Sequence, residues 1–470
     1  MQTIIDRTRA ALLAGTIAGA FVAAAGCNVK DELLSPQQPG VIGPANVQGA
    51  VGAEALRIGA LSAFQGATGG NSGTSMWSSA GTLADEWKSG DTFFQTDETD
   101  RRTITTTNSQ VQGQYTSAQQ ARGFIMGAIA ALKQYSPEKI ENQAEMYLAL
   151  GYLEMNLSEN FCNGIPYGST VNGAPVYVAP STNAQGFTLA MARLDSGLAL
   201  VANVASSDTY GVQVKNGLLV TKARTLVDLG LSNLSPASAL LAGVPTNFAW
   251  NETYSTSTAD NGPWSMNGIA ASSRYVVSDS FDFFNGQLNI VKNALPFASA
   301  KDPRVPTTGS TTGTIRAIDA YTPWVGQLIW AGRSDPVPVV SGIDARLIEA
   351  EARLNAGDIA GMMTTLNTLR SSPQQIGNLK VPAMVPLATP ATTDAALSLL
   401  FRESGFWQFG RGIRLGNLRR LIRQYGRTQD QVFPVGNYYK SGTYGADVNL
   451  PVTDNEYTNP QFHGCIDRNA

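Results

Sequence analysis

The chain has 470 residues, 43% of them hydrophobic and 15% charged, with a formal net charge of -3. That is ample apolar content for a large core, and too little positive charge for a nucleic-acid surface, which needs a basic face. A single histidine, His463, leaves few parts for a histidine-based zinc site or a Ser-His-Asp triad.

At the amino end, Arg7 and Arg9 precede an alanine-rich apolar run that stops at Ala24-Ala25-Gly26-Cys27. The charged start, a run too short to span a bilayer comfortably, and small residues before a cysteine predict a lipoprotein signal peptide over 1–26, with Cys27 acylated. Acyl chains, at about 0.8 kcal/mol per buried methylene, would then hold the protein on a membrane without a transmembrane span. An ordinary secretory peptide with a chance cysteine is the alternative. Residues 27–46, with Pro36, Pro39, Gly40, Gly43 and Pro44, read as an extended tether before a body over 47–470. Asn28 follows the cysteine where aspartate retains lipoproteins in the inner membrane of some bacteria. The expectation is a lipid-anchored, surface-exposed protein of the cell outer membrane.

Helical periodicity dominates the body. Ser136-Pro137-Glu138 predicts a helix start, combining a capping hydroxyl, proline at the first helical position and an acid in the first turn. Ile140, Ala144, Tyr147, Leu148, Gly151 and Met155 then share one face, with 114–132 as the antiparallel partner. Further pairs are 185–204 with 212–229, and 343–355 with 358–370. Stacked hairpins with small residues at their contacts predict a mainly α fold with tetratricopeptide-like hairpins over 114–230 and 340–425. These would pack against a loop-rich insert, 245–338, whose Gly, Ser, Thr and Pro content allows only a few short strands. The basic run Arg411 to Arg427 falls on an apparent helix and reads as structural. If Cys27 carries lipid, Cys162 and Cys465 are the remaining thiols, and an oxidising envelope favours their pairing; two buried free cysteines are the alternative.

Four segments resemble the SusD/RagB family of nutrient-uptake outer-membrane lipoproteins. Ala144 to Tyr152, running into Asn160-Phe161-Cys162-Asn163-Gly164-Ile165-Pro166-Tyr167, is similar to the family's helix and Phe-Gly-Asp-Val-Pro corner, with Cys162 at the glycine. Leu347 to Ala352, Gly357-Asp358 and Leu366 to Arg370 resemble its helical hairpin. Phe401-Arg402-Glu403 with Arg414 to Arg420 resembles its penultimate signature, Asn417 replacing the usual aspartate. Leu450-Pro451-Val452, Glu456 and Asn459-Pro460 resemble its ending. The resemblance implies a lid that binds an oligomeric nutrient, a glycan before a peptide, and passes it to a SusC-type TonB-dependent transporter. No cofactor, metal or catalytic residue is implied, and there is no Walker-type loop or Rossmann fingerprint.

Glu349 and Glu351 are two residues apart and cannot share a helix face, while Arg370, Arg402 and Glu403 read as helix-to-helix ties. A helical scaffold assembling envelope proteins is one alternative function. A carboxylate-dependent glycosidase is another, with Asp97, Glu98 and Asp100 as the tempting cluster and an ion-pair network as its plainer reading. For a sugar ligand, an exposed indole covers the C–H face of a pyranose while polar side chains bond its hydroxyls. Trp77, Trp250, Tyr254, Trp264 and Trp324, in polar or loop-rich surroundings, are the expected platform; Trp87, Trp330 and Trp407 adjoin apolar stretches and are expected in the core.

Overall fold

The computed structural model describes residues 48–70, 75–171, 174–268, 273–284 and 286–470. The expected signal peptide, tether and Cys27 lie outside them. Gly49–Ala470 form one unit.

Its helices start where short polar side chains satisfy the free N–H groups of a first turn. Asn108 Oδ1 accepts from Gln110 N and Val111 N to open the longest helix, α4 (Ser109–Tyr135). Thr182 and Gln185 form a reciprocal capping box before α6 (Asn183–Leu200), as do Ser341 and Asp344 at the head of α10 (Gly342–Asn355). Asp208 caps α7 (Thr209–Leu229) and Asp358 caps α11 (Ile359–Ser371). The predicted start at Ser136 is corrected: α5 is Ile140–Asn160, and Ser136 does not cap it. Instead the Ser136 and Pro137 carbonyls accept from Gln143 Nε2 at 3.4 and 3.2 Å, which holds these residues in the turn.

Antiparallel neighbours α4/α5, α6/α7 and α10/α11 are the expected hairpins, and glycines let one hairpin close on the next. A Cβ on Gly151 would stand 2.7 Å from Leu194 Cγ, and one on Gly217 2.6 Å from Leu148 Cδ2. Four further helices, α1 (Ala50–Ala67), α2 (Met76–Leu83), α12 (Thr393–Trp407) and α13 (Arg414–Arg423), close the core around them. Strands are few and occur only as antiparallel pairs among the described residues. One pair joins Ala249–Glu252 to Val337–Ser341, so the insert begins and ends on the same two strands, with a bulge at Pro338/Val340. The fold is mainly α, and the loop-rich insert carries only short strands, as its sequence predicts.

In the basic run around α13, Arg411, Arg414, Arg419 and Arg420 are buried. Arg419 Nη1 donates to the carbonyls of Ser158, Glu159 and Phe161 (3.3, 2.6 and 2.9 Å), closing the carboxyl end of α5, where a helix concentrates unpaired carbonyls and partial negative charge. Arg420 pairs with Glu351, and Arg411 holds Asp344 at 2.6 Å. Glu403 accepts from Arg304 (2.7 Å) and Arg370 (3.1 Å). These arginines tie helices together. Beside Arg419, Cys162 N donates to Leu450 O (2.9 Å), and a disulfide joins Cys162 to Cys465 with Cα atoms 6.1 Å apart across 303 residues.

Candidate functional site

The expected aromatic platform does not assemble. Trp77, Trp250, Tyr254 and Trp324 are buried. Phe64 joins two of them in one aromatic core, with ring centroids 5.5 Å from Trp250 and 5.7 Å from Tyr152, which Trp77 approaches edge-on at 6.3 Å. Their polar atoms find internal partners: Trp77 Nε1 donates to Asn156 Oδ1 (3.2 Å), Trp324 Nε1 to Asn267 O (2.8 Å), and Tyr254 Oη to Glu252 Oε2 (2.7 Å). Burying an indole whose N–H is satisfied outweighs leaving it on a polar loop, and this is why local composition misplaces it. Trp264 is the one member left partly exposed, and Arg333 covers its ring at 5.7 Å. Trp87, Trp330 and Trp407 are fully buried.

The exposed aromatics stand elsewhere. Strand β1 (Trp87–Ser89) pairs with β5 (Tyr275–Val277), placing Ser89 opposite Tyr275. Past the end of this pair, Gly90 N donates to Arg274 O (2.8 Å) and Asp319 N donates to Gly90 O (3.0 Å), so the 90–94 loop lies against the 315–323 loop. Only glycine fits at 90, since a Cβ there would be 2.4 Å from that of Ala317. Asp319 shapes the second loop by accepting from Tyr321 N (2.9 Å), Thr322 N (2.8 Å) and Thr322 Oγ1 (2.6 Å). Lys440 Nζ fastens both loops, reaching Asp97 at 2.7 Å, Asp319 at 3.1 Å and the Asp91 carbonyl at 3.1 Å.

What this frame presents is a rim of apolar and aromatic side chains. Phe93 is 51% exposed, Phe94 62% and Tyr321 45%. Arg274 stacks 4.6 Å over the Phe93 ring and is held there by Asp91. Beside Tyr321, Phe283, Arg316 and Thr312 line a cleft of about 280 Å³. Exposed rings beside guanidinium groups and hydroxyls can stack on a flat, partly apolar ligand and bond its polar edge. The tempting carboxylates below the rim are engaged structurally. Asp97 holds Lys440, Glu98 accepts from Asn108 Nδ2 (2.8 Å), and Asp100 accepts from Ser89 N (2.8 Å) and Tyr438 Oη (3.1 Å). Burial pushes Asp100 up to about 7. His463 is exposed, and its neighbour Cys465 is in the disulfide.

No protein-family model matches the sequence, and no curated protein does. Solved structures do match the fold. A SusD superfamily protein from Parabacteroides distasonis superposes with a TM-score of 0.61 at 11% identity, covering 88% of this chain and 98% of that chain. A SusD-like carbohydrate binding protein from Bacteroides fragilis gives 0.61 at 14%, covering 88% and 99%. A SusD superfamily protein from Bacteroides vulgatus gives 0.57 at 15%, covering 89% and 99%. The chain, with its helical hairpins and loop-rich insert, thus shares the fold of these SusD superfamily structures.

Proposed function

We propose that the chain is a glycan-capturing lipoprotein, anchored through Cys27, which follows a 1–26 signal peptide and begins a 27–46 tether. It binds an oligosaccharide at the rim of Phe93, Phe94 and Tyr321 and delivers it to a SusC-type TonB-dependent transporter in the outer membrane. The observation that carries this reading is three exposed aromatic rings, fixed by Gly90, Asp319 and Lys440, on a fold shared with proteins described as carbohydrate binding. A pyranose offers an apolar C–H face to such rings. The test is oligosaccharide binding by the wild type, Phe94→Ala and Tyr321→Ala. Each variant should bind at least tenfold more weakly with an unchanged thermal midpoint; undiminished binding in both would sink the assignment. Delivery predicts copurification with a large TonB-dependent barrel.

A further inference from the structure

A second cleft lies away from these loops, on the outer face of α4. Thr116, Gln120, Gly123, Gly127 and Ala130 follow one another at helical spacing and form one stripe. A Cβ added to Gly123 or Gly127 would meet nothing within 4 Å. Glycine inside a helix destabilises it relative to alanine, so two on one face weaken the helix while leaving the floor open. Phe124 rises beside this floor, 57% exposed. Asn455 and Glu456 of the carboxyl-terminal segment form the other wall, and the enclosed volume is about 810 Å³, against 280 Å³ at the rim.

The lining states what would fit. Tyr115 Oη, buried, donates to Glu456 Oε2 (3.0 Å) and accepts from Gln119 Nε2 (2.9 Å), which fixes the carboxylate at the wall. No hydrogen bond joins the side chains of Thr116, Gln120 or Asn455 to another described residue. Among the described residues no lysine, arginine or histidine lines the cleft, so none of them recognises an anion there. A docked helix would need an aliphatic seam, and none of the five stripe positions carries an aliphatic side chain larger than alanine. Met126 adds one apolar side chain to the lining, and the open ring, free amides and hydroxyls and single fixed carboxylate around it are the groups that recognise a neutral polyhydroxylated chain. We propose that the α4 cleft is a second saccharide-binding site, stacking a pyranose on Phe124 and bonding its hydroxyls to Gln120, Asn455 and Glu456. It stands whether or not the rim binds glycan.

The test uses the full chain and diazirine-bearing maltohexaose, cellohexaose, xylohexaose and mannohexaose, with crosslinked peptides mapped by mass spectrometry. Label is expected on peptides covering 109–135 and 453–460, in the wild type and in a Phe94→Ala/Tyr321→Ala double variant. Gly127→Leu fills the floor and should lower that label at least tenfold without lowering the thermal midpoint, and Phe124→Ala should do the same. No label in the cleft from any of the four sugars overturns the proposal, as does label that survives Gly127→Leu. Label confined to 90–94 and 316–323 overturns it while leaving the reading of the rim intact; label confined to the cleft does the reverse.

Discussion

Replacing Trp77 with alanine separates a core tryptophan from a ligand platform. The indole is 1% exposed, packs edge-on against Tyr152 and donates to Asn156. Gly412, at φ +64°, sits so close that a Cβ there would be 2.4 Å from Trp77 Cδ1, so the pocket cannot readily collapse onto the vacancy. Truncating a buried tryptophan costs about 3–5 kcal/mol, and a buried acceptor left without its donor adds about 1–3. An unfolding entropy of about 2.1 cal/mol/K per residue gives roughly 0.9 kcal/mol per degree for Gly49–Ala470. Trp77→Ala should therefore lower the calorimetric midpoint by about 4–9 °C. Trp264→Ala, which removes a partly exposed ring beneath Arg333, should lower it by about 1 °C. A Trp77→Ala midpoint within a degree of wild type, together with lost oligosaccharide binding, would refute the core assignment and return Trp77 to the ligand surface.

Cys162→Ala/Cys465→Ala should be destabilised by about 6 kcal/mol by the chain-entropy argument, read from denaturant midpoints; a loss below 1 kcal/mol would contradict the 303-residue crosslink. Arg411→Met leaves Asp344 buried without its cation and should cost about 3–5 kcal/mol, whereas Arg353→Met, at an exposed pair with Asp358, should cost less than about 1. Burial pushes Glu86 from 4.5 up to about 7, against the downward pull of Arg414. A carboxyl with a raised folded pKa keeps its proton in the native state, so stability is full below pH 4.5 and falls by about 3 kcal/mol as pH rises towards 7. Glu86→Gln should remove that slope, melting with wild type at pH 4.5 and above it at pH 8; parallel pH profiles would contradict this. Palmitate-analogue labelling of the exported chain should disappear in Cys27→Ala, and persistent labelling would place the acyl group elsewhere.

The helical hairpins were legible because their signals are local. Asp208 and Asp358, the Ser341/Asp344 box and the apolar spacing of α5 act within a turn or two of the helix they define. Ser136 misled because Gln143, one turn into the helix, takes the carbonyls that keep Ser136 in the turn. The tryptophans misled for a longer-range reason: serine and glycine beside Trp77 describe its chain neighbours, while its burial is decided by Asn156, 79 residues away. The rim had one local sign, the adjacent Phe93 and Phe94 in an otherwise polar run. Its partner Tyr321 is brought to it by the β1–β5 pair, the Gly90–Asp319 contact and the Lys440 bridges, which no window of sequence contains.

The bond between Cys162 and Cys465 makes the intervening chain a covalent ring, and the whole insert, including Tyr321 of the rim, lies inside that ring, whereas Phe93 and Phe94 lie outside it. A protease that nicks one of those loops once cannot release a fragment, because both pieces remain joined through sulfur. Such a protein would migrate as a single band without reductant and fall into two with it. Damage at the exposed loops is thereby uncoupled from loss of the chain.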